Sequence, residues 1–128
     1  LGFGGRVVMT SAEHSSGSER IAEVCETLGW DADQVVVNLQ GDEPLVPAAL
    51  IHQVADTLQR DADADMSTLC YPIQHAAELF DPHVVKVVCD GAARALYFSR
   101  ASIPWDRDAF AVSQEALPEG AEHFRHIG

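Results

Sequence analysis

Apolar positions along the chain follow two rhythms, and the change between them divides it. Val35-Val36-Val37 runs without a polar break into Asn38-Leu39-Gln40-Gly41-Asp42-Glu43-Pro44. A run this short cannot span a membrane, and it is too continuous for a half-exposed strand. It predicts a strand over Val35–Leu39, buried on both faces as in a parallel sheet, with the proline as its stop. Arg6 to Thr10 predicts another short strand. Between the two, Ile21, Ala22, Val24, Cys25 and Leu28 recur at helical spacing, giving an amphipathic helix over 19–28 with Gly29 at its C-terminal end. Pro47 can open the next helix, whose inner face is Leu50, Ile51, Val54 and Leu58 and which ends near Arg60. Asp61 to Asp65 is a solvated acidic loop, Met66 to Ile73 a strand, and 75–80 a short helix closed by Asp81-Pro82.

The pattern beyond Pro82 turns β-rich. Val84–Cys89 and Ala92–Ser99 flank Asp90-Gly91, a strong hairpin signal, with room for the turn to extend into Ala92 and Ala93. Ile103 to Asp108 predicts an irregular loop, and 111–121 is loose and polar. A strand is expected to begin at Arg125-His126-Ile127. No internal repeat is present.

Composition narrows the function classes. The 128 residues are 47% hydrophobic, which is expected to support one compact domain. Acidic residues outnumber basic ones 20 to 8, for a net charge of −12, which argues against nucleic acid as the main partner. No segment is apolar enough for a membrane span and no leader pattern is present, so a soluble, cytoplasmic protein is expected. Cys25, Cys70 and Cys89 are odd in number, far apart and set in apolar runs, as reduced thiols would be. The chain opens on Leu1-Gly2-Phe3 without an initiator Met and closes on Gly128 where a strand is beginning, so a fragment of a larger α/β domain is expected.

Three stretches could carry chemistry. In His14-Ser-Ser-Gly-Ser-Glu-Arg20, Ser16 and Glu19 satisfy a capping box. The same helix start, with Gly17 permitting close approach, Ser18 beside it and Arg20 adding a donor fork, can also hold a polar ligand. The second stretch is Gln40-Gly-Asp-Glu-Pro44. Ligands of open α/β sheets sit beyond the strands' carboxyl ends, where Asp42 falls. Its carboxylate suits Mg²⁺, which takes one or two carboxylates together with substrate phosphates and water. In the third, Ala95 to Asp108, the aromatics read as packing groups. Arg100 and Arg107 are candidates for an anionic substrate group, unless Arg107 is spent on Asp106 or Asp108. His123 and His126 lack the neighbours of a zinc site, and no Walker loop, GxGxxG or Ser-His-Asp arrangement is present.

Together these stretches resemble the CMP-Kdo synthetases, or 3-deoxy-manno-octulosonate cytidylyltransferases. The resemblance rests on His14–Val24, Val37–Pro47, Val84–Val88, Ala95–Arg100, Ile103–Asp108 and Arg125–Gly128, in the family's order and spanning nearly the whole chain. It implies a three-layer, nucleotide-diphospho-sugar-transferase-like (Rossmann-like) α/β fold, with a mixed, mostly parallel sheet and a β-rich hairpin and substrate or dimer loop over 84–108. It implies a cytoplasmic homodimer that converts CTP and Kdo to CMP-Kdo and pyrophosphate with Mg²⁺, for lipopolysaccharide biosynthesis. By resemblance, Ser16, Gly17, Ser18 and Arg20 belong to a cytidine-binding turn and Asp42 is a metal ligand. Gln40, Arg100, Arg107 and His126 line the sugar pocket, Arg100 taking the sugar's carboxylate.

The chain departs from the family pattern in three ways. It lacks the basic, glycine- and proline-containing loop that grips the triphosphate. A second metal aspartate is expected beyond Gly128. His83 stands where an asparagine is usual. Residues 1–128 alone are therefore expected to show no useful turnover. Competing readings are a cytidylyltransferase for another acidic sugar, a metal-dependent glycosyltransferase, and a non-catalytic fragment.

Overall fold

A computed structural model describes residues 4–41 and 45–127. The chain forms two compact units, Leu1–Leu45 and Val46–Gly128.

The first unit is built around helix α1, Gly17–Leu28. Ser16 caps it, its Oγ accepting the Glu19 amide. The helix ends in a left-handed glycine: Gly29 has φ +64°, which only glycine adopts without strain. From there Gly29 N–H donates to Glu26 O and Trp30 N–H to Cys25 O, satisfying two carbonyls the helix leaves open. Ile21, Val24, Cys25 and Leu28 are half-buried, as the spacing predicts. Arg6–Thr10 and Val35–Leu39 form no strand ladder with described residues. Val7, Met9 and Leu39 are exposed, at 64%, 86% and 51%. A strand exists only through a paired neighbour, which an apolar run does not specify by itself. The buried parallel strand expected over 35–39 is therefore corrected to an unpaired, largely exposed segment.

The second unit contains α2 (Ala48–Arg60), β1 (Leu69–Pro72), α3 (Ala76–Phe80), β2 (Lys86–Cys89), β3 (Ala95–Ser99), α4 (Arg107–Val112) and β4 (Phe124–Ile127). Pro47 occupies the N-cap of α2 rather than its first turn. The strands form one sheet in the order β1-β4-β2-β3. All three pairings are antiparallel: Cys70 faces His126, Lys86 faces Arg125, and Val87 faces Phe98. The mixed, mostly parallel sheet expected for the chain is thus corrected: the described sheet is antiparallel. The apolar run Val35–Leu39 suggested a parallel sheet, whereas the ladder is made by β1, the hairpin strands β2 and β3, and β4.

The hairpin turn is wider than Asp90-Gly91. Asp90 Oδ1 accepts the amides of Ala92 and Arg94, at 2.8 and 2.9 Å, and Asp90 N–H donates to Arg94 O. Ala93 takes φ +61°, and the ladder is irregular at Val88/Cys89. The Arg94 and Ala92 amides hold the Asp90 carboxyl below the usual carboxylate range.

The core of this unit is Ile73, Leu79 and Phe110, with Phe80 and Leu117 packed on it. Phe110 contributes from α4, a helix that the sequence reads as an irregular loop over 103–108 followed by loose chain. Its N-cap is Asp106, whose Oδ1 accepts the Ala109 amide at 2.9 Å. That Asp-x-x spacing before an apolar residue was the signal available in the sequence. Phe110 stacks edge-on against Phe80 at 5.3 Å between centroids and lies 5.0 Å from Trp105. The peptide Ile103-Pro104 is cis.

Candidate functional site

In the first unit, the polar turn before α1 is tied down by the helix it starts. The Glu19 carboxylate accepts Ser15 N–H at 2.7 Å and Ser15 Oγ–H at 2.9 Å. The capping box is therefore present with its return arm moved one residue upstream, from Ser16 to Ser15. The Glu23 carboxylate pairs with His14 Nε2 and accepts Ser11 N–H at 3.0 Å. Arg20 Nη1 donates to Thr10 Oγ1 at 2.6 Å and to Ser11 O at 2.9 Å. That nitrogen thus supports the turn. The pairing of His14 with Glu23 was not read from sequence, since only folding brings residues nine apart together at this turn.

With the turn held this way, the amides of Gly17 and Ser18 have no acceptor within the helix. Gln40 approaches the first of these residues: a Cβ placed on Gly17 would be 3.5 Å from Gln40 Nε2. Two stretches singled out separately in the sequence therefore meet within this unit. Asp42 and Glu43 lie outside the described residues.

The turn should respond to acid. Glu19 is held below its ordinary pKa of 4.5 chiefly by the Ser15 amide, and Glu23 chiefly by its hydrogen bond to His14. A lowered folded-state value adds stability above pH 4.5, and this is lost as pH falls through the lowered values. Helix signal from α1 should thus weaken below about pH 4.5, and Glu23→Gln should flatten that dependence. Circular dichroism against pH checks this.

In the second unit the three remaining candidates sit on separate elements, with no hydrogen bond between any two of them among the described residues. Arg100 follows β3. Its Nη1 donates to Pro82 O at 3.0 Å and His83 O at 3.2 Å. Arg107 opens α4, and its Nε pairs with Asp108 Oδ1 at 2.8 Å. Both partners are more than 80% exposed, so the pair contributes little. Arg107 also borders an open groove of about 390 Å³ with Trp105, Asp106, Glu122 and His123. His126 lies in β4, with Nε2 2.8 Å from Thr68 Oγ1 and its ring edge-on to Phe98. Burial lowers its pKa, so the imidazole is neutral near pH 7.

The burial of two polar groups here had no marker in the sequence. Lys86 is fully buried, its Nζ donating to Asp81 O and Val84 O, and burial lowers its pKa. His123 is buried, with Nε2 2.9 Å from Pro104 O. A carbonyl can only accept, so Nε2 carries the hydrogen.

Residues 1–127 match the family model described as Cytidylyltransferase. The chain belongs to the cytidylyltransferase family. Among its relatives are proteins named 3-deoxy-manno-octulosonate cytidylyltransferase. That of Thioalkalivibrio sulfidiphilus is 58% identical over 127 residues, covering 99% of this chain and 50% of the relative. That of Aeromonas hydrophila is 58% identical over 125 residues, covering 98% and 48%. The chain therefore spans about half the length of these curated relatives. A solved structure described as CMP:2-keto-3-deoxy-manno-octonic acid synthetase complexed with CTP matches with a TM-score of 0.81 at 35% identity. The match covers 99% of this cytidylyltransferase chain and 47% of the other. The α/β class expected from the sequence agrees with that likeness. No helix among the described residues is long and apolar enough to cross a membrane.

Proposed function

We propose that the full-length gene product is a cytidylyltransferase that activates Kdo with CTP, giving CMP-Kdo and pyrophosphate for lipopolysaccharide biosynthesis. The observation that carries the reading is the approach of Gln40 to Gly17. It brings a flexible side-chain amide to Gly17, at a helix start whose first amides have no helical acceptor, a combination suited to a polar ligand. The names of the relatives and the CTP in the solved neighbour support CTP and Kdo as the ligands of this reading.

In this reading the Gly17–Ser18 amides and Ser16 receive the nucleotide, with Arg20 holding the turn that presents them. Arg100 takes the carboxylate of the sugar, and Gln40, Arg107 and His126 complete its pocket. The sugar's anomeric hydroxyl attacks the α-phosphorus in line, one P–O bond forms, and the bond to pyrophosphate breaks. Positioning and neutralisation of phosphate charge lower the barrier. The donor chemistry of Asp42, a single carboxylate beside substrate phosphates, fits Mg²⁺. The ion would neutralise phosphate charge and make the nucleophile easier to deprotonate. The homodimer belongs to the same proposal. The edge strand β3 supports it, with Leu96 65% and Tyr97 64% exposed beside unpaired backbone.

The test is release of pyrophosphate from CTP with Kdo, compared with a neuraminate and with a nucleotide-sugar donor. Release with Kdo alone supports the reading, and a free nucleoside diphosphate as product removes it. Gly17→Ala sharpens the test. Gly17 does not need a left-handed backbone, and a methyl there would meet only a side-chain tip at ordinary contact distance. The helix should be kept or slightly strengthened, because alanine is the better helix former. The KM for CTP should rise by about tenfold if a nucleotide packs on that glycine. An unchanged KM for CTP removes Gly17 from the nucleotide site.

A further inference from the structure

Lys86 is fully buried, and removing an ammonium group from water costs several kcal/mol unless its donors are satisfied. Its described acceptors are the backbone carbonyls of Asp81, at 2.8 Å, and Val84, at 2.7 Å. The Asp81 carboxylate turns instead to the His83 amide, at 2.7 Å. Arg100 works on the same turn: its Nη1 donates to Pro82 O and His83 O. Four consecutive carbonyls are thus shared between two cations, the outer pair going to Lys86 and the inner pair to Arg100. The hairpin register adds a second link, since Lys86 faces Ser99, the residue before Arg100.

This division has a consequence for Arg100. Both hydrogens of Nη1 are used on the turn, while Nε and Nη2 donate to no described residue. The Nε/Nη2 edge carries two parallel N–H groups, the fork that a carboxylate accepts side-on. Pinning one end of the guanidinium fixes the plane in which the other end is offered.

We infer that Lys86 is a positioning residue for Arg100: it holds the Asp81–Val84 turn, whose inner carbonyls orient the arginine for the carboxylate of an acidic sugar. The inference rests on the proposed role of Arg100. Lys86 itself touches no substrate. A lysine that merely braced the turn would affect stability without favouring one substrate.

The experiment is a double-mutant cycle in the full-length gene product, reading KM for Kdo and for CTP separately. Arg100→Ala should raise the KM for Kdo by about tenfold or more and leave that for CTP within about twofold. Lys86→Met should raise the KM for Kdo by about tenfold, with kcat little changed. In the Arg100→Ala background, Lys86→Met should add less than about twofold, because the group it positions is gone. Additive effects, equal shifts in both KM values, or no shift with Lys86→Met overturn the positioning role. If Lys86→Met does not fold, Lys86→Gln, which keeps a donor for one carbonyl, goes through the same cycle with the same criteria. If Arg100→Ala leaves the KM for Kdo unchanged, the reading of Arg100 fails and the inference falls with it. If Arg100→Ala acts as expected and the lysine variants do not, only the inference fails.

Discussion

Replacing Asp42 with Asn in the full-length gene product is expected to lower kcat for CMP-Kdo formation by about 10³-fold or more, with the fold retained. The substitution keeps side-chain size and removes a charge. Its cost therefore falls on whatever that charge holds, in the proposed reaction Mg²⁺ and the phosphates. The neighbouring Gln40 and Gly41 are exposed. Thermal melts of the two proteins should coincide to within a few degrees. Pyrophosphate release, measured as a single turnover at saturating CTP, should separate them. Turnover near the parent rate would remove Asp42 from the mechanism. Raising Mg²⁺ should recover little activity, because an amide oxygen is a much weaker partner for a hard cation than a carboxylate.

Phe110→Ala is expected to cost about 3–5 kcal/mol of stability, the usual range for a buried Phe truncated to Ala. Phe110 is 4% exposed and touches Phe80, Trp105 and His123, so the cavity would be lined by rings that cannot easily collapse into it. It is also the only buried side chain of α4, a helix of six residues. A helix this short has no stability of its own and exists through tertiary packing. The urea midpoint should fall with little change in slope, and helix signal from 107–112 should be lost with it. Phe110→Leu, which keeps an apolar contact with α3, should recover a large part of the loss. If Phe110→Ala left the midpoint unchanged, the aromatic cluster could not be what holds α4.

Local rules were enough where a residue acts on its near neighbours. Helix α1 was legible because its apolar spacing, its Ser16 cap and its Gly29 stop agree. The hairpin was legible because Asp90 organises its own turn through the Ala92 and Arg94 amides. The site stretches were legible as motifs for a similar reason: a helix start, a polar turn or a pair of arginines is written in a few consecutive letters. The family resemblance rested on these, and the match over residues 1–127 agrees with it.

What failed needed a partner elsewhere in the chain. Val35–Leu39 has the composition of a buried strand but finds no ladder among the described residues, so the parallel sheet inferred from it gave way to an antiparallel one. Helix α4 was missed because Pro104 and the adjacent charges of Arg107 and Asp108 outweighed Asp106 and Phe110 in a local reading. In the fold, Phe80 and Trp105 reverse that weighting.

The sequence by itself determined the family, the helix α1 turn and the residue types available for a nucleotide and an acidic sugar, because each is a matter of local spacing and side-chain chemistry. Only the tertiary structure decided how those residues are used. It pairs His14 with Glu23 behind the turn, sets Gln40 against Gly17, and spends one nitrogen of Arg100 on a turn that a buried Lys86 holds from the other side. The reason is that a hydrogen bond between distant residues depends on where the chain brings them, and no short stretch of letters records that.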